Sequence, residues 1–172
     1  IIGIRSCAPL ASFMAFYFTL MFPNVHLIQT SSSSEIFEQM VRIGKEDVII
    51  GISFPRYSMR TLKAMEFANN RSAKVITLTD SVHSPMNLYS SCNLIADSDM
   101  ASIVDSLVAP LSVINALIVA LCMKKQNEVA KTLEMLEDIW DEYQVYENDE
   151  INYIDDSIKM RYGKVGDAEL YE

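Results

Sequence analysis

The sequence predicts an α/β protein, a three-layer αβα sandwich built on a five-stranded parallel sheet. Short β-like runs alternate with helical patterns along most of the chain, an order that predicts parallel strands joined by right-handed crossovers. With 172 residues, half of them hydrophobic, the chain can bury a sizeable core within one domain. Polar loops follow the apolar runs and lead into helices, as in proteins of this class.

Five runs have the length and apolar content of buried strands. They are residues 1–4, 25–29, 47–52, 74–79 and 92–96. The first run reads as a strand truncated at its start, because no initiator Met or leader precedes it. We therefore expect the chain to be a piece of a longer protein.

Four helices are expected between these strands, at residues 8–21, 34–41, 59–69 and near 85–90. Pro9 falls in the first turn of the first helix, where proline is favoured. Ser32 and Glu35 have the spacing of a capping box. The serine run 31–34 has an alternative interpretation as a polar ligand loop, and we favour the cap because it explains Glu35.

Two further helices are predicted, at residues 100–123 and 126–143. The first is apolar enough to test as a membrane helix, but Asp105, Pro110 and Asn115 interrupt it. We predict instead a buried helix or one that packs against a second subunit. The second helix carries an apolar stripe that includes Trp140, expected in a core or an interface. A domain of residues 1–145 is thus predicted, followed by an acidic C-terminal extension, 146–172.

Charge and cysteine content exclude several classes of function. The net charge is −9 and the pI is about 4.7, so the surface repels nucleic acid, and DNA is a partner only through another domain. Cys7, Cys92 and Cys122 are scattered, which argues against zinc and disulfides and favours a reducing cytoplasm. No dinucleotide fingerprint or phosphate-binding P-loop is present, so no nucleotide cofactor is expected.

Three loops compete for the ligand position beyond the carboxyl ends of the strands. The loops are Gly3 to Ser6, Ser53 to Ser58 and Thr79 to Ser84. Serine hydroxyls, arginine charge and the starts of helices suit a phosphate group. The alternative is that the serines only cap helices and the arginines are surface groups. The predicted ligand contacts are Arg5, Ser6, Ser53, Arg56, Ser58 and Ser84.

The order of these motifs resembles the sugar isomerase (SIS) domain, in the version at the carboxyl end of RpiR-type transcriptional regulators. The matching segments are Gly3-x-x-Ser6, then residues 47–53 with their serine-bearing loop, and then residues 73–80 followed by Ser84 and Pro85. The resemblance covers about residues 1–145. It implies a flavodoxin-like parallel sheet and a phosphosugar ligand, usually in a dimer.

The resemblance assigns the two ligand serines to Ser6 and Ser53, and Ser58 to the hydroxyl that closes the second loop. The commoner loop of the family reads Ser-x-Ser-Gly-x-Thr, so Pro55 here replaces a serine and Arg56 replaces the glycine. Proline supplies neither a hydroxyl nor an N–H, whereas arginine supplies a full charge. The departures favour a sensing loop over a catalytic one.

Three functions follow as hypotheses. The first is a sensor that binds a phosphorylated sugar or amino sugar and, as a homodimer or tetramer, modulates DNA binding by an absent N-terminal helix-turn-helix domain. The second is a ketose-aldose phosphosugar isomerase, which needs a general base. His83 and Glu66 are the nearest candidates, but a loop role is favoured for His83 and a solvent-facing position for Glu66. The third is an assembly module whose serines are only caps.

Overall fold

The computed structural model describes residues 1–30, 32–99 and 105–146. Strands and helices alternate through the first part of the chain, which confirms the predicted α/β class. The elements in chain order are β1 (Ile2–Gly3), α1 (Ala8–Met21), α2 (Ser33–Gln39), β2 (Val48–Ile52), α3 (Met59–Asn69), β3 (Lys74–Thr79), β4 (Cys92–Ile95), α4 (Val108–Lys124) and α5 (Gln126–Glu142). Short 3-10 helices, Arg5–Cys7 and Pro85–Tyr89, precede α1 and β4.

The described sheet has four parallel strands in the order β1-β2-β3-β4, so the prediction of five strands is wrong. The predicted strand at residues 25–29 does not form. This segment makes one isolated parallel β-bridge, between Ile28 and Ile2, on the side of β1 away from β2. Only Ile28 in that segment is buried, while His26 and Gln29 are exposed. The ladder is short because the neighbouring strand β1 has just two residues, although Val25 and Leu27 still pack against the α1 side of the core.

Helices cover both faces of the sheet. Residues that alternate along the strands point to opposite faces, so Ile50 lies in the core beneath α1 and α4, and Ile49 in the core beneath α2 and α3. The α1 side is filled by residues such as Met14 and Ile114, and the α3 side by residues such as Met65. The predicted three-layer sandwich is therefore present.

The helix starts agree with the sequence at two places and disagree at a third. Pro9 lies in the first turn of α1, and the Ser58 hydroxyl caps α3 by accepting from the Thr61 N–H. The predicted capping box at α2 is wrong, because Ser32 precedes the helix without a side-chain cap bond. The Glu35 carboxylate instead accepts a hydrogen bond from the Thr30 hydroxyl, which removes it from the reciprocal bond of the box.

Two glycines let helices approach the strands that lead to the site. A Cβ added at Gly51 would lie 2.3 Å from the Met65 sulfur of α3, and one at Gly3 would lie 2.6 Å from the Cys7 carbonyl oxygen. Neither glycine adopts a positive φ. Close backbone approach, rather than an unusual turn, therefore explains glycine at the end of β1.

Helix α4 begins at Val108, later than predicted; of the predicted span, residues 100–104 lie outside the described residues. Pro110 sits in its first turn, where it needs no intrahelical N–H partner. The chain divides into two compact units, Ile1–Val129 and Ala130–Glu172. In the second unit the ring of Trp140 meets Tyr146 edge-on. The predicted extension beyond residue 146 lies outside the described residues.

A helix that spans a membrane has to be both long enough and apolar enough. No single helix in the described ranges meets both requirements, and only α4 and α5 taken together as a broken pair do so.

Candidate functional site

The loops after β1 and β2 leave the sheet side by side. Gly3 pairs with Ile52 in the parallel register, and neighbouring strands lie about 4.8 Å apart. The Ile28 segment flanks β1 on one side and β2 flanks it on the other. The chain thus runs outward from β1 in one direction and returns to the other side, so the strand order reverses between β1 and β2. Ligands of open parallel sheets bind at such a reversal.

The second loop is closed by its own serines. Ser53 is 3% exposed, and its Oγ accepts a hydrogen bond of 3.0 Å from the Ser58 N–H. Its own N–H continues the sheet by donating to the Leu78 carbonyl at 3.1 Å. Ser58 in turn caps α3 through the Thr61 N–H at 3.3 Å. Each hydroxyl oxygen accepts one of these bonds, and a serine hydroxyl that accepts can also donate one hydrogen bond.

Both predicted arginines have a left-handed backbone. The φ of Arg5 is 58° and that of Arg56 is 65°. A non-glycine residue in this region costs roughly 1–2 kcal/mol, because Cβ crowds the following carbonyl. Such strain concentrates at functional sites. Both residues are exposed, so two cations occupy the paired loops at the reversal point.

A hydrogen-bond network ties the second loop to the third. The Tyr57 hydroxyl donates to Asp80 Oδ1 at 2.9 Å, and Thr79 Oγ1 lies 3.1 Å from the same oxygen. Desolvation raises the pKa of Tyr57, and its bond to Asp80 raises it further, while Ser84 lowers it. Sequence reasoning did not identify this pair, because 23 residues separate the partners.

Ser84 and Ser6 occupy different surroundings. The Ser84 hydroxyl is buried and accepts from the Met86 N–H at 3.2 Å and from the Thr79 hydroxyl at 2.9 Å. It therefore caps the 3-10 helix of the third loop, and its ligand contact stays a prediction. Ser6 is exposed and hydrogen bonds to the thiol of Cys7.

Cys7 links the first two loops. Burial raises the pKa of its thiol, while hydrogen bonds with the Phe54 backbone and the Ser6 side chain lower it. Phe54 directly follows Ser53, so this thiol lies against the start of the second loop. The scattered spacing of the cysteines does not indicate such a role.

The acid and base candidates lie in the third loop and on α3. His83 is exposed in the third loop, where its backbone N–H donates to Ser81 Oγ at 3.2 Å. Glu66, predicted to face solvent, is partly buried; desolvation raises the pKa of Tyr89, and the nearby Glu66 carboxylate raises it further. In the described ranges no group of three or more His, Cys, Asp or Glu side chains is placed to hold a metal ion.

Comparison with known proteins gives one family and several similar folds. Residues 1–120 match the model of the SIS domain. An uncharacterized HTH-type transcriptional regulator of Caldanaerobacter subterraneus subsp. tengcongensis is 32% identical over 98 residues. This match covers 55% of the present chain and 35% of the regulator. The chain therefore spans about a third of the length of this curated relative.

Three solved structures illustrate the structural similarity. The sugar isomerase domain of an RpiR transcription factor from Sphaerobacter thermophilus superposes with a TM-score of 0.71 at 21% identity, covering 76% of this chain and 73% of that one. Vibrio vulnificus NanR complexed with ManNAc-6P superposes with a TM-score of 0.65 at 18% sequence identity. The match covers 80% of this chain and 54% of NanR. Methanococcus jannaschii MJ1247 superposes with a TM-score of 0.57 at 12% sequence identity, and the match covers 76% of this chain and 73% of that one. A 3-hexulose-6-phosphate isomerase function is inferred for MJ1247. These similarities show the fold.

Proposed function

The chain belongs to the SIS-domain family, and we propose that it is the phosphosugar-binding effector domain of an HTH-type transcriptional regulator. Occupancy of the site between β1 and β2 alters DNA binding by a helix-turn-helix domain in the remaining length of such a regulator. The curated relative, an HTH-type regulator of which this chain spans about a third, supports this arrangement. Ligand control requires that the ligand bind the two states of the regulator with different affinity.

The observation that carries the proposal is the second loop. Ser53 and Ser58 close a strand-to-helix turn at the strand-order reversal, and Arg56 is held there with a positive φ. Hydroxyl hydrogens and a guanidinium are suitable donors for a phosphate dianion. The arginine of the neighbouring loop, Arg5, adds a second charge.

The net charge limits the kind of anion. At −9 the chain repels extended polyanions, so the local arginines suit a small phosphorylated metabolite, and DNA contact belongs to another domain. NanR, a protein of the same fold, was solved with ManNAc-6P. That complex supports a phosphorylated sugar or amino sugar as the ligand class.

We expect a cytoplasmic homodimer or tetramer that associates through α4. Val108, Val119 and Met123 are exposed on this helix, at spacings that place them on one face. An apolar face of this kind is typical of a subunit interface.

The proposal is tested by thermal stabilisation with a panel of phosphosugars. A ligand at 100 times its Kd stabilises the native state by about 2.7 kcal/mol, which raises Tm by roughly 5–10 °C in a protein of this size. In the double variant Ser53→Ala with Arg56→Ala the shift should vanish while the far-UV circular dichroism is retained. The matched control is Arg42→Ala with Ser72→Ala, two exposed residues that precede β2 and β3 at the opposite edge of the sheet.

Each alternative result has a defined meaning. Turnover of a phosphosugar by the chain would establish the isomerase instead of the sensor. An unchanged shift in the Ser53/Arg56 variant would place the ligand elsewhere. Absence of stabilisation by every phosphosugar would reject both the sensor and the isomerase.

A further inference from the structure

A second candidate feature lies beside the proposed phosphate loop. A cavity of about 260 Å³ opens between α2 and α3. Its lining residues are Ser33, Ile36, Phe37, Met59, Arg60 and Lys63. Ser33 and Met59 are the first residues of their helices, and α3 starts directly after the second loop. The cavity therefore opens at the edge of the sheet that carries the proposed site.

Two of the three polar residues that line this cavity are cationic. Arg60 and Lys63 form no ion pair in the part of the chain that the structure describes, where the ion pairs are Lys45–Glu46 and Lys125–Glu128. The two cations are neighbours on α3 and repel each other. The first turn of α3 also contains no acidic residue, so Arg60 sits where the helix dipole disfavours a cation. An anionic group in the cavity would relieve both effects.

The remaining lining suits a carbon skeleton. Ile36 is buried, Phe37 is half-buried, and both lie on α2, opposite the two cations of α3. The aromatic contact between Phe37 and Phe67, with ring centroids 5.2 Å apart, holds the two helices together below the cavity. The cavity volume is slightly below that of typical small-molecule sites, so the cavity suits one part of a metabolite.

The phosphate loop and the cavity lie within reach of one small ligand. Arg60 follows Ser58, the N-cap of α3, by two residues, which in a helix separates their Cα atoms by about 5–6 Å, and the long arginine side chain extends from there. Ser58 belongs to the phosphate loop, and Arg60 lines the cavity. A linear six-carbon molecule is long enough to present one end to each.

We propose that the α2–α3 cavity is a subsite for a second anionic group, so that the preferred ligand is an acidic phosphosugar carrying a carboxylate. This inference rests on the proposed function, because it places the phosphate at Ser53, Arg56 and Ser58. Arg60 and Lys63 bind the carboxylate. The apolar residues of α2 contact the carbon chain between the two charges.

The test compares two ligands that differ at one carbon. In 6-phosphogluconate C1 is a carboxylate, and in sorbitol 6-phosphate it is a hydroxymethyl group. Isothermal titration of the wild-type chain should give an affinity at least about tenfold higher for 6-phosphogluconate, as charge-assisted bonds predict. In Arg60→Gln with Lys63→Gln this preference should disappear, while the affinity for sorbitol 6-phosphate stays the same. The control Arg42→Gln with Lys74→Gln changes the net charge equally and should keep the preference.

The outcomes separate this inference from the proposed function. Equal affinity of the wild-type chain for both ligands would overturn the subsite and leave the phosphosugar site intact. An equal loss of both affinities in the Arg60/Lys63 variant would also overturn it, because those residues would then act on the phosphate. Loss of the preference in the Arg42/Lys74 control would show a general charge effect and overturn the subsite. If neither ligand nor any other phosphosugar binds, both proposals fail.

Discussion

Two buried threonines should respond to the same substitution with opposite sign. Thr61 of α3 and Thr77 of β3 are both 0% exposed. The Thr61 hydroxyl has no hydrogen-bond partner among the described residues. The Thr77 hydroxyl lies 2.8 Å from Asn87 Oδ1 and 3.0 Å from Asn93 Oδ1. Valine has nearly the shape of threonine, so the substitution isolates the hydroxyl.

The magnitudes follow from the cost of buried polar groups. An unpaired buried hydroxyl costs about 1–3 kcal/mol on mutational scales, so Thr61→Val should raise the free energy of unfolding by about 1 kcal/mol or more. Its backbone N–H still donates to Ser58 and keeps the cap. Thr77→Val removes the hydroxyl that donates to the side-chain oxygens of Asn87 and Asn93. The loss of this donor should lower the free energy of unfolding by about 1–3 kcal/mol. The two variants should therefore differ by at least about 2 kcal/mol.

The assay is urea unfolding of both variants and the wild type, without added phosphosugar, followed by circular dichroism. Unchanged m-values would show that the denatured state is not the source of the difference. Thr77→Ser retains the hydroxyl and should recover most of the loss caused by Thr77→Val. The reasoning is refuted if Thr61→Val destabilises the chain as much as Thr77→Val does.

Two further predictions concern close packing and thiol burial. Gly51→Ala should lower the free energy of unfolding by about 1–3 kcal/mol, because its Cβ would lie 2.3 Å from the sulfur of the fully buried Met65. Gly44→Ala, with nothing within 4 Å, should change it by less than about 0.5 kcal/mol, and equal effects in urea unfolding would contradict the packing argument. A thiol reagent at pH 8 should label exposed Cys92 long before Cys7, because burial hides the Cys7 thiol and raises its pKa. Peptide mapping by mass spectrometry measures the order, and early labelling of Cys7 would show that the first loop opens readily.

Periodicity and helix-start residues were enough to predict most of the fold. The predicted helices 8–21 and 59–69 and the strand 74–79 have the observed bounds. In each case local signals agree with the tertiary environment: Pro9 and Ser58 mark helix starts, and β3 is mostly buried along its length. Agreement between local and global preferences is what makes an element predictable.

The errors arise where tertiary contacts compete with a local motif. The spacing of Ser32 and Glu35 fits a capping box, but Thr30 engages the glutamate. The segment 25–29 has strand-like composition, yet only Ile28 is buried. A single sequence indicates what a motif can form and not which neighbour takes its polar group.

The sequence predicts which loops form the candidate site, but it does not predict the side-chain contacts within and between them. Serines after apolar runs indicate a phosphate-type loop, and parallel topology brings the first two such loops together. The bond between Tyr57 and Asp80 depends on where two distant loops meet. The cavity beside Arg60 and Lys63 has no local sequence signal, because it forms only when α2 packs on α3.

Arg56 combines an unusual backbone conformation with the positive charge of the second loop. Glycine is the residue that adopts a positive φ without cost, and glycine stands at this position in the commoner loop of the family. The φ of 65° at Arg56 lies in the region that glycine adopts without cost. Pro55, directly before it, has a fixed φ and no N–H. The loop therefore bears the strain of a non-glycine residue and carries a full positive charge at Arg56, which fits the proposed contact between this arginine and a phosphate group.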